Sequence, residues 1–217
     1  MNDYRTWARK CRSATKFDAE TGLSVKLPPY VLHRQLSKAV VTVRSPMSTV
    51  VSRFRHDAAS NSFFSQDGLM NRKGFLQWCQ TIDEKAMKKD SFKRMLMEHG
   101  AWDLVQGVPC FSEFIRMTVW YNNLNKLVTG MDVHIIHFED FSKQLENEVE
   151  KLVRFMRVRT VIQPSAVNFH RTEIKYTWFT DEEVPLIGDL IYGCATDKTW
   201  ALLNNHFQGF LHEAEHW

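Results

Sequence analysis

The stretch KAVVTVRSPMSTVVSRFRHD, Lys38 to Asp57, decides the fold class. Lys38 to Arg44 (KAVVTVR) is β-branched and apolar on both faces, the pattern of a buried parallel strand. Ser45-Pro46 follows at once. Serine is a favoured N-cap and proline a favoured first helical residue, so a helix is predicted from here to about Ala59. Met47, Val50, Val51 and Phe54 form its apolar stripe. A buried strand running directly into a capped helix is half of a βαβ unit.

The other half lies downstream. Val133 to Phe138 (VHIIHF) reads as a second buried strand, followed by a helix capped at Asp140 or Ser142 and reaching about Met156. Between the two strands, Asn61 to Lys73 is loop-like and Gly74 to Met97 is helical in pieces. Gly100 to Pro109 is a break, and Ser112 to Leu127 is a helix ended by Gly130. On that helix Trp120 and Tyr121 are read as packing against the sheet rather than lining a pocket. Thr180 with Glu183 makes a capping box, and Leu186 to Tyr192 and Trp200 to His212 are terminal helices. Upstream, Gly22 to Lys26 is a short strand stopped by Pro28-Pro29, and residues 1–21 are a loose or helical lead-in. The expected fold is α/β: a three-layer domain, residues 22–217, with a short parallel sheet flanked by helices.

The bulk numbers narrow the function classes. Lys plus Arg number 28 against 25 Asp plus Glu; a net charge of +3 is too weak by itself to argue for nucleic acid, and no nucleic-acid partner is expected. It suits a small anionic ligand, which needs local positive charge. Cys11, Cys79, Cys110 and Cys194 contain no CxxC pair, so no structural zinc or other metal is expected. An even count permits disulfides, and a chain of 217 residues buries a sizeable core with or without them. Met1 to Lys16 is polar and basic with no apolar stretch, and no apolar run approaches the roughly 18 residues of a membrane span. As written, the chain reads as soluble.

In an open parallel sheet, ligands sit beyond the carboxyl ends of the strands. That singles out Arg44-Ser45-Pro46 and Phe138-Glu139-Asp140. The first offers a cation and a helix N-terminus with unpaired N–H groups, a pairing suited to phosphate oxygens. Ser52 stands about two turns into the helix and carries a hydroxyl; Arg53 and Arg55 add charge. On spacing alone Arg44 either holds an anion or pairs with an acidic neighbour. Glu139-Asp140 reads as a helix cap and anchor, because carboxylates would repel an anionic ligand.

Here the sequence resembles a known family, the PAPS-dependent sulfotransferases (PAPS is 3′-phosphoadenosine-5′-phosphosulfate). These carry a strand ending in R-N-P, then x-D-x-x-V-S and an aromatic. This chain reads R-S-P-M-S-T-V-V-S-R-F from Arg44 to Phe54, with Ser45 and Ser48 in place of the family's Asn and Asp. The resemblance implies that Arg44 and Ser52 hold the donor's 3′-phosphate. The family's second strand, its F-Y-E-D turn and the helix after it are similar to HIIHFEDFSKQLENEVEKLVRFM, His134 to Met156, which places Phe138 against the adenine. The segment Asn168-Phe169-His170-Arg171 is similar to one in sulfotransferases related to the WSC-domain-containing proteins. It makes Arg171 the candidate for a closing cation.

The resemblance runs from about Gly22 to Tyr192 and omits one part. The family's phosphosulfate loop needs a glycine for its tight anion-cradling turn. The first glycine here is Gly22, and RSATKF at Arg12 to Phe17 has none. Lys26 is the weak candidate for the family's catalytic Lys, and His33 for its base, though His33 is off register. The expectation is therefore a sulfotransferase-type domain incomplete at its N-terminus. Either it is a truncated form of an enzyme that moves a sulfuryl group from PAPS to a carbohydrate, protein or small-molecule acceptor, or it is an inactive relic that still holds nucleotide. A nucleotide- or partner-binding α/β module unrelated to transfer is the alternative. An upstream anchor would put the domain in the Golgi lumen, and an exposed strand edge would favour self-association.

Overall fold

The computed structural model describes residues 16–17, 24–25, 37–60, 70–158 and 178–207. The chain is an α/β domain whose short, open parallel sheet is flanked by several helices. Two-residue strands β1 (Lys16–Phe17) and β2 (Ser24–Val25) pair antiparallel. The lead-in, expected loose or helical, is thus a strand at Lys16–Phe17. It pairs with Ser24–Val25, which lies within the strand expected over Gly22 to Lys26; the rest of that stretch lies outside the described residues.

The main sheet joins β3 (Lys38–Val43) to β4 (Asp132–His137), parallel and in register from Lys38↔Asp132 to Val43↔His137. Among the described residues, the long connection between them carries four helices: α1 (Pro46–Ser60), α2 (Arg72–Met87), α3 (Asp90–Glu98) and α4 (Phe111–Leu127). A parallel pair needs such a crossover, since a hairpin cannot return the chain in the same direction. After β4 come α5 (Phe138–Met156), α6 (Glu183–Cys194), α7 (Asp197–Leu203) and a 3₁₀ turn, Asn204–His206. Phe138 is the first residue of α5, not the last of the strand, and the helix is interrupted at Gln144 (φ −144°, ψ 48°). The terminal helix expected from Trp200 begins earlier, where the Thr196 side chain caps the amide of Thr199.

Both strands are short of covering. Val41, Val43 and Ile136 are buried, but Val40, Val133 and Ile135 are about two-fifths exposed. On one face α5 packs: the His134 ring stacks on Phe155 at 5.1 Å, and Lys38 lies over the same ring at 4.8 Å while bonding the Phe155 carbonyl. Under the other face, Val41 and Val43 join the main core with Met47, Val50, Val51 and Phe54 of α1. The predicted apolar stripe is what sinks α1 into that core.

The core is richest in the helical layer. Phe54, Phe75, Trp78, Phe114, Trp178 and Phe179 form one chain of ring contacts, with centroids 5.2–6.2 Å apart. A disulfide, Cys79–Cys110, ties α2 to the start of α4, and both cysteines are buried. Beside it the Asp83 carboxylate accepts the Ser112 amide at 2.9 Å, closing the N-terminus of α4 from a neighbouring helix. Burial pushes the Asp83 carboxyl up to about 6, against the hydrogen bonds from Ser112 and Cys110. Gly193 lies close against its neighbour: a Cβ there would stand 2.5 Å from Leu104 Cδ1, so the leucine tip would have to turn aside. Among the described residues no helix is long and apolar enough to cross a membrane.

Candidate functional site

The register Val43↔His137 brings the two strand-to-helix junctions side by side at the carboxyl end of the sheet. Arg44 follows β3 directly. Its guanidinium lies over the Phe138 ring, 4.6 Å from the centroid. Its Nε is buried and, among the described residues, has no hydrogen-bond partner. Phe138 opens α5, so the two candidates separated by most of the sequence meet because parallel pairing aligns their strands.

Ser45 is fully buried, and its Oγ takes the N-cap position with a long contact of 3.5 Å to the Ser48 amide. Its own amide donates to Glu139 Oε1 at 2.8 Å. Glu139 therefore caps across the sheet: it sits in the first turn of α5, where a carboxylate suits the helix dipole, and reaches the start of α1. The expectation of a helix cap and anchor for Glu139 has this form.

Tyr121 closes the site from α4. It is buried, and its hydroxyl donates to the Thr42 carbonyl at 3.3 Å. Burial pushes its pKa upward, opposed by a hydrogen bond with the Arg44 backbone and assisted by the charge of Glu139. Trp120, expected with Tyr121 in the core, is half-exposed instead. One residue of helix turns the side chain by about 100°, so only one of the two can face the sheet.

Two histidines complete the strand end. His137 is the last residue of β4, and His206 comes from the 3₁₀ turn after α7, the ring centroids 6.3 Å apart. His206 Nε2 is buried and, among the described residues, without a hydrogen-bond partner. Burial lowers its pKa; Glu139 and Asp140 oppose that shift, and His137 adds to it.

The other sequence candidates fall differently. Ser52 stands partly exposed on α1, on the helix face of Ser45 and Ser48 and roughly 10 Å along the axis from the helix start. Arg53 does not add free charge: it is bonded to the buried Glu113 and lies 4.0 Å from Asp57. Arg55 lies over the Trp178 ring at 5.9 Å. Lys26, His33 and Arg171 lie outside the described residues. A cleft of about 470 Å³, lined by Val41, Val128, Val133, Ile135, Lys198 and Leu202 among others, contains none of the candidates. Among the described residues no cluster of three or more His, Cys, Asp or Glu is arranged to hold a metal.

Reading the sequence missed Tyr121 as a site wall, the Glu139–Ser45 contact, and His137 and His206 altogether. His137 had a signal, since it immediately precedes Phe138. His206 had none. No family model, no curated protein and no solved structure matches the chain.

Proposed function

We propose that this chain is a donor-binding domain of the sulfotransferase type, a three-layer α/β domain that holds the 3′-phosphate end of PAPS at Arg44. The observation that carries the reading is the meeting of Arg44 and Phe138 at 4.6 Å, beside the N-terminus of α1 and at the carboxyl ends of two parallel strands. A guanidinium whose buried Nε has no partner among the described residues, beside a helix start, is suited to a phosphate dianion. The fit to adenine is less direct: Arg44 covers one face of the Phe138 ring, so the base stacks on the other face or displaces the guanidinium.

Transfer needs more than this end of the donor. Charge develops on the 5′-phosphate side, and donors must already be aimed there. The glycine-bearing loop that supplies them in the family has no counterpart around Arg12 to Phe17, so these residues bind the donor and transfer its sulfuryl group poorly or not at all. The buried Cys79–Cys110 bridge favours an oxidising compartment and with it the Golgi lumen. The acceptor class, carbohydrate, protein or small molecule, is set by parts of the reaction site not formed at Arg44.

One observation favours the alternative of a nucleotide- or partner-binding module without transfer. Glu139 already satisfies the Ser45 amide from within, as a purely structural helix end would require. Calorimetry separates the readings. Adenosine 3′,5′-bisphosphate binds the wild type, and Arg44→Ala weakens it by about 1.5–3 kcal/mol, the worth of a hydrogen bond to a charged group. Equal affinity for wild type and variant overturns the assignment. Equally tight binding of 5′-AMP favours the generic module.

A further inference from the structure

We propose that the cleft between β4, the end of α4 and α7 is a second ligand site, shaped for a monoanionic amphiphile of the medium-chain aliphatic carboxylate class. The inference goes beyond the donor-binding reading, and the cleft shares no residue with the Arg44 site.

The cleft follows from how the sheet is covered. In the strand register Val41 stands beside Ile135. Side chains alternate along a strand, so Val133 and Ile135 share the face of Val41, which looks into the core. Yet Val41 is 5% exposed, while Val133 is 38% and Ile135 42% exposed. α4 stops at Leu127 and α7 is a helix of 7 residues, so neither covers the amino end of β4. The uncovered margin is a cleft of about 470 Å³, with Val128 and Met131 on the α4 side and Ala201 and Leu202 on the α7 side. Small-ligand sites measure roughly 300–1,000 Å³ and are mostly apolar. Val133 precedes His137, at the carboxyl end of β4, by about 13 Å of strand, so the cleft is apart from the Arg44 junction.

One end of the cleft is polar. Asn125, Thr129 and Lys198 also line a second recess of about 290 Å³, which adds Asn122, Lys126 and Asp197. The neutral groups there are engaged from within. Asn122 donates to the Cys194 carbonyl and accepts the Thr196 amide. Asn125 donates to the Thr199 hydroxyl, and Thr129 donates to the Asn125 carbonyl. The ammonium groups of Lys126 and Lys198 have no ion-pair partner among the described residues, which leaves them as the donors open to a ligand. Two cations face the single carboxylate of Asp197, so one positive charge is in excess. A monoanion balances it, whereas a second negative charge would meet Asp197. The apolar cleft leading away from Lys198 gives that anion an alkyl chain: head at Lys198, chain along Val128, Val133, Ile135 and Leu202.

Decanoate, below its micelle concentration, is the probe. Calorimetry on the full chain shows saturable binding, and Lys198→Gln weakens it about threefold to fivefold, the worth of one exposed ion pair. The neutral probe decanol binds both proteins alike. Val133→Glu, with folding checked by thermal melting, sets a carboxylate in the cleft and weakens decanoate at least tenfold. NMR needs no variant: decanoate moves the methyl signals of Val133, Ile135 and Leu202 more than those elsewhere. No saturable binding, affinity untouched by Val133→Glu, or methyl shifts centred elsewhere overturns the site. Decyltrimethylammonium bound as tightly as decanoate, or no loss in Lys198→Gln, overturns the anionic class. A wild type that is dimeric in sedimentation velocity and takes no decanoate shows that a second copy covers this face, which overturns the proposal too. Arg44→Ala leaves decanoate affinity unchanged whether or not it weakens adenosine 3′,5′-bisphosphate, so failure of the donor-binding reading is told apart from failure here.

Discussion

Around Phe75 four rings, from Phe54, Trp78, Trp178 and Phe179, lie with centroids 5.2–6.2 Å away, and a disulfide and a buried carboxyl close the same layer. At the ends of β3 and β4 the neighbours are Arg44, Tyr121, His137, Glu139 and His206, on a sheet whose valines and isoleucines are in part exposed. The first region gains from removing apolar surface from water, which is non-directional and additive. The second depends on a few directed polar contacts, whose net worth to stability is small because water offers the same contacts to the unfolded chain. On the proposed donor-binding reading, stability and function are lodged in different parts of the domain: substitutions in the helical layer cost folding, and substitutions at the strand ends are expected to cost binding.

The comparison breaks first at Phe75. Phe75→Ala removes a fully buried ring and leaves a cavity among aromatics, and denaturant unfolding shows a loss of about 3–5 kcal/mol. Replacing Cys79 and Cys110 together by alanine opens a loop with a sequence separation of 31 and costs about 3–4 kcal/mol on the chain-entropy account, read as a lower melting temperature in non-reducing buffer.

Asp83 gives the pH dependence. Its carboxyl is raised from 3.8 to about 6, so the protonated form is favoured by folding. The stability it contributes is complete below its unfolded value of 3.8 and is lost as pH rises through about 6. From about pH 4 to about pH 7 that loss is roughly 3 kcal/mol. Asp83→Asn keeps an oxygen for the Ser112 amide and removes the titration. The stability of the variant relative to wild type therefore rises over that range, and a parallel pair of pH profiles would contradict the burial argument.

At the strand ends the effects on folding shrink. Arg44→Ala, which on the proposed reading weakens bisphosphate binding, lowers stability by no more than about 1 kcal/mol, the worth of one partly exposed cation–π contact. A loss as large as that at Phe75 would show that the site is part of the core after all. Val133→Lys, on the exposed part of β4, changes stability by less than about 0.5 kcal/mol. If strand edges pair between molecules, it also reduces self-association in sedimentation velocity.

Local signals survived where the information was local. Ser45-Pro46 starts α1 because the cap and the fixed proline φ act within one turn. Glu183 bonds back to the Thr180 amide at 2.8 Å for the same reason. Element ends drifted by a few residues at Phe138 and Trp200, where neighbours rather than sequence set the end of the element. The cysteine pairing was not legible, because spacing says nothing of which residues of two helices come within 4.4 Å between Cα atoms. Trp120 and Tyr121 are nearly alike as residue types, and only the helix phase against the sheet separates the exposed ring from the buried one.

From the sequence alone came the two parallel strands, the order of the helices, and the two junctions where a ligand would meet the sheet. Periodicity and caps carry that much, because they report which face of each segment avoids water. Which side chains meet at the junctions was decided by tertiary structure. The register of β3 on β4 lays Arg44 over Phe138 and hands the Ser45 amide to Glu139. The turn after α7 sets His206 beside His137, far from it in sequence. Such contacts arise from elements that pack for apolar reasons and bring their polar ends together, so no local stretch of residues encodes them.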